Sequence, residues 1–118
     1  MAKKAKLHGK TRNDRMQEQL RMPVTFDPAG NLMTLGEVRQ RGCGSVPRFE
    51  SLSPEKQVEL TVKRIEAQPA FEVAMVGGGI VGKERAIEEV KAQTDIGKVL
   101  TEIEKRTIDY LLEEVPSK

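Results

Sequence analysis

Between Ser53 and Pro69 the apolar residues Val58, Val62 and Ile65 fall on one helical face, while Glu59 and Lys63 pair four apart on another. That is the pattern of an amphipathic helix with one face buried. Ser53 as N-cap, Pro54 at the first helical position and Glu55 in the first turn predict a helix from Pro54 to about Ala67, closed by Pro69. Helical spacing returns at about Lys83, with Ala86, Ile87 and Val90 on one side and Arg85 four residues before Glu89. Thr94 and Asp95 are cap residues, and a last helix is predicted from Ile96 to about Glu114, before Pro116.

At about 100° per residue this last helix places Ile96, Leu100, Thr107, Leu111 and Val115 near the centre of one face. Val99, Ile103 and Tyr110 flank them on one side, Ile108 and Leu112 on the other. The resulting apolar arc spans about 220°, well beyond the ~100° stripe sufficient for packing on one side. The helix therefore calls for more than one neighbour.

The β-type pattern is shorter. Val24–Val38 reads as two β-prone runs around Pro28-Ala29-Gly30-Asn31, a hairpin with a four-residue connection. Phe71–Val76 reads as a strand ended by Gly77, Gly78 and Gly79. Arg39–Pro47 has no periodicity, two glycines and a proline, and reads as loop. Ahead of the hairpin, Thr11 can cap a short helix with Asp14 at its third position and Met16 and Leu20 stacked before Pro23. The expected fold class is mainly α or small α+β, with a basic disordered N-terminal arm, a short β-hairpin and a helical C-terminal half. Its expected organisation is an arm at 1–22 and one small domain at 23–118, with a loop at 39–52 and a glycine-rich turn at 77–82.

Composition narrows the chemistry. The 118 residues include no Trp, one Tyr and three Phe, so the core must be built from Val, Ile, Leu and Met. The net charge of +2 is uneven: Met1–Met22 holds seven Lys or Arg against two Asp or Glu, and the remainder is net negative. Apolar residues in Met1–Arg21 are too scattered for a secretory leader, and the glycine-interrupted run Phe71–Val81 is too short to cross a membrane. The expectation is a cytoplasmic protein with no membrane contact. One Cys and one His cannot furnish the four ligands of a structural zinc site, so no metal and no cofactor are called for. Cys43, between Gly42 and Gly44 with Arg39, Arg41 and Arg48 nearby in sequence, is a candidate for a lowered thiol pKa. His8 lies in the arm, where it would make an imprecise base. Glu88, Glu89, Glu102, Glu104, Glu113 and Glu114 are spread as on solvated helix faces, so no catalytic residues are assigned.

Gly77–Gly82 (GGGIVG) satisfies GxGxxG after the apolar run Val73–Val76. With that run it resembles the start of the dinucleotide-binding unit of flavin-dependent oxidoreductases. Gly97–Glu104 resembles the unit's second strand, ending on its ribose-binding acid, Glu104. The resemblance covers about 34 residues and implies a parallel sheet with pyrophosphate held at a helix N-terminus. Only fourteen residues follow Glu104, too few for the remaining parallel strands. Gly77, four residues, Gly82 and Lys83 also approach a phosphate-binding P-loop, but Glu84 stands where that loop needs Ser or Thr for magnesium. Gly77, Gly79, Gly82 and Lys83 are thus candidate phosphate-binding residues, against the alternative of a glycine turn leading into the next helix.

The leading expectation is a non-enzymatic interaction or accessory subunit, an adaptor or assembly factor. It would self-associate or dock on a larger complex through Val99, Leu100, Ile103, Ile108, Tyr110, Leu111 and Leu112 of the last helix. The alternatives are the phosphate or dinucleotide module and nucleic-acid association through the arm. In the arm Lys3, Lys4, Lys6, Lys10, Arg12 and Arg15 would contact phosphates with little sequence specificity, there being no interleaved aromatic residues.

Overall fold

A computed structural model of the chain describes residues 12–42, 46–75 and 79–115. Helix α1 (Arg12–Arg21) leads into strand β1 (Pro23–Phe26), which pairs antiparallel with β2 (Leu32–Thr34). The hairpin turn is closed by the Asp27 carboxylate, which accepts from the backbone N–H groups of Ala29 and Asn31, both at 2.9 Å. Those bonds, that from Asn31 foremost, hold the Asp27 carboxyl below its usual range. Gly30 takes φ +91°, a conformation that favours glycine at this turn.

The second β-prone run departs from expectation after Thr34. Leu35–Arg41 is helix α2, started by a capping box: Glu37 donates its backbone N–H to the Thr34 hydroxyl, and Thr34 donates its own to the Glu37 carboxylate. The expected loop at 39–52 therefore opens with the last turn of α2. It also contains a 3₁₀ turn at Phe49–Ser51. Phe49 is buried there, and Thr25 donates to the Pro47 carbonyl at 2.7 Å, tying this segment to β1.

Helix α3 (Pro54–Ala67) has the expected bounds, with the Ser53 hydroxyl accepting from Lys56. Strand β3 (Glu72–Met75) also lies where the sequence places it. The glycine stretch does not. Gly79–Gly82 is strand β4, antiparallel to β3 with Val73 opposite Val81 and Met75 opposite Gly79. Val81 points into the core and Ile80 away from it, as the two-residue period of a strand requires. The last four positions of the expected 77–82 turn are thus the second arm of a hairpin.

Helix α4 (Lys83–Ala92) follows directly, and α5 (Asp95–Glu113) completes the helical C-terminal half. Two residues join them. Gln93 adopts the left-handed conformation at φ 51°, and Thr94 caps α5 by accepting from Gly97. The Thr94 hydroxyl also donates to the Glu89 carboxylate, which with Arg85 holds the Glu89 pKa below the usual glutamate range.

The apolar residues gather into two cores. One joins the first hairpin and α2 to the C-terminal half of α5 through Val24, Phe26, Val38, Phe49, Leu60, Ile108 and Leu112. The other joins the second hairpin and α4 to α3 and the first half of α5 through Ile65, Val81, Ala86, Val90 and Leu100. Helices α3 and α5 run through both. The basic segment before Arg12 lies outside the described residues; Arg12–Arg21 itself is helical and packs against α2.

Candidate functional site

Helix α5 carries the two most distinctive surfaces among the described residues, one buried and one open. Its buried stripe is Gly97, Leu100, Glu104, Ile108 and Leu112. Helical geometry puts the centre of that stripe about 60° from the centre of the apolar arc read from sequence. The rotation brings Glu104 and Gly97 inside and leaves one edge of the arc outside.

Glu104 sits between Leu100 of one core and Ile108 of the other. It accepts from the Arg64 Nε of α3 at 2.7 Å, and Arg64 Nη1 donates to the Pro23 carbonyl at 2.7 Å. The residues are only 2% and 7% exposed. This carboxylate was read as part of a solvated face; the structure corrects that reading, because α3 supplies a cation at the one polar gap in the buried stripe. The pair joins α3, α5 and β1 where the two cores meet. A cavity of about 510 Å³ opens beside it, bordered by Arg21, Met22, Gln68 and Thr107 among others. Arg64 and Glu104 are spent on each other, and among the described residues neither a thiol nor an imidazole lines the cavity.

The open surface is the arc's other edge. Val99, Ile103 and Tyr110 are 46%, 42% and 64% exposed. They occur at spacings of four and seven, so they share one face over about 16 Å of helix axis. Glu102 and Arg106 lie beside them in an exposed ion pair at 3.0 Å. Further round the helix on that same side, Lys105 is tied back to Asp109 at 2.9 Å, which raises its pKa.

Of the seven partner-binding residues read from sequence, Leu100, Ile108 and Leu112 are in the core, at most 1% exposed, and have no surface to offer a partner. Leu111 is half-buried against the first core. Val99, Ile103 and Tyr110 remain. The sequence supplied the whole arc, but not where the core would cut it.

Of the candidate phosphate residues, those described lie on β4 and at the start of α4. Gly77 and Gly78 lie outside the described residues, and Gly79 and Gly82 are the two ends of β4. Lys83 donates to the Glu66 carbonyl at 3.3 Å. Because β3 and β4 are antiparallel and Val99–Glu104 is helical, the strand, turn, helix and parallel strand of a dinucleotide-binding unit are not formed here. In the arm, Lys3, Lys4, Lys6 and Lys10 fall outside the described residues, as do His8 and Cys43; Arg12 and Arg15 belong to α1.

Among the described residues no three His, Cys, Asp or Glu side chains are placed to hold a metal ion. No helix among them is long and apolar enough to cross a membrane. Comparison with known protein families, curated proteins and solved structures finds no match to this chain.

Proposed function

We propose that this chain is a non-enzymatic interaction subunit that docks on protein through the exposed face of α5. The observation that carries the reading is the split of one helix's apolar arc: Leu100, Ile108 and Leu112 are committed to the core, while Val99, Ile103 and Tyr110 stay in water. A single exposed apolar residue needs no explanation, but three on one face of a rigid element form a patch suited to another helix. Tyr110 adds the amphipathic ring that recurs at binding hot spots. The buried Arg64–Glu104 pair supports the reading too, because it fixes the rotation of α5 and so which edge of the arc faces outward.

The test is photo-crosslinking from a benzophenone side chain placed at Ile103, compared with one at exposed Glu88 on α4. Probed in native extract, position 103 should give an adduct of discrete mass that position 88 does not give, and Tyr110→Asp should abolish it. No adduct, or the same adducts from both positions, would overturn the proposal.

A further inference from the structure

We draw no further inference here: the strongest candidate, the occupant of the exposed apolar face of α5, is left open because charges of both signs flank that face, Asp95, Glu102 and Glu113 as well as Lys98 and Arg106, and nothing in the structure shows what covers it.

Discussion

Replacing Glu104 with alanine should destabilise the fold by about 3–5 kcal/mol, the usual consequence of removing one partner of a buried ion pair. The loss follows from what is left behind. Arg64 is 2% exposed and donates to Glu104 and to the Pro23 carbonyl; without the carboxylate its charge stays buried with only a carbonyl to face. The same pair need not be strongly stabilising as a unit, because the desolvation of both charges offsets most of their attraction. Arg64→Met combined with Glu104→Leu should therefore recover most of the loss. Urea denaturation of the single and double variants measures this. A Glu104→Ala change below about 1 kcal/mol would mean that the pair is solvated and does not join the two cores.

The second large effect has the opposite sign from its usual one. In an exposed helix interior, glycine to alanine gains about 1 kcal/mol. Gly97 lies where α5 crosses the last turn of α4, and a Cβ there would be 2.5 Å from the Glu89 carbonyl carbon and closer still to its oxygen. Both atoms are backbone, so relief requires the helices to separate. Gly97→Ala should thus destabilise by about 1–3 kcal/mol, the range of an overpacked core. A thermal melt decides the sign, and an increase in stability would show that α4 and α5 do not approach so closely.

These two residues also mark where sequence reasoning stopped. Helices α3 and α5 were legible because cap residues and apolar spacing agree: Ser53 and Pro54 start one, Thr94 starts the other. Helix α2 was missed although Thr34-Leu35-Gly36-Glu37 spells a capping box, because β-prone neighbours and Gly36 masked it. Strand β4 was missed because the glycine pattern resembled a loop before a helix, and only pairing with β3, a nonlocal contact, makes it a strand. Glu104 was misread, and Gly97 passed over, for a related reason. Both interrupt an apolar stripe, and their burial depends on a guanidinium from α3 and a backbone carbonyl from α4. The exposed face of α5, the proposed docking face, was half legible: periodicity supplied its residues, but which edge of the arc stayed outside depended on tertiary packing.

The most direct test of docking through α5 is NMR of the side-chain methyl and aromatic signals of the labelled chain, alone and in native extract. Ile80 is a built-in control, because it is 68% exposed, more than Val99, Ile103 or Tyr110, but lies on β4. We expect the signals of Val99, Ile103 and Tyr110 to shift or broaden together in extract while those of Ile80 stay fixed. Signals that are all unchanged by extract, or an Ile80 response as large as that of Ile103, would contradict the account.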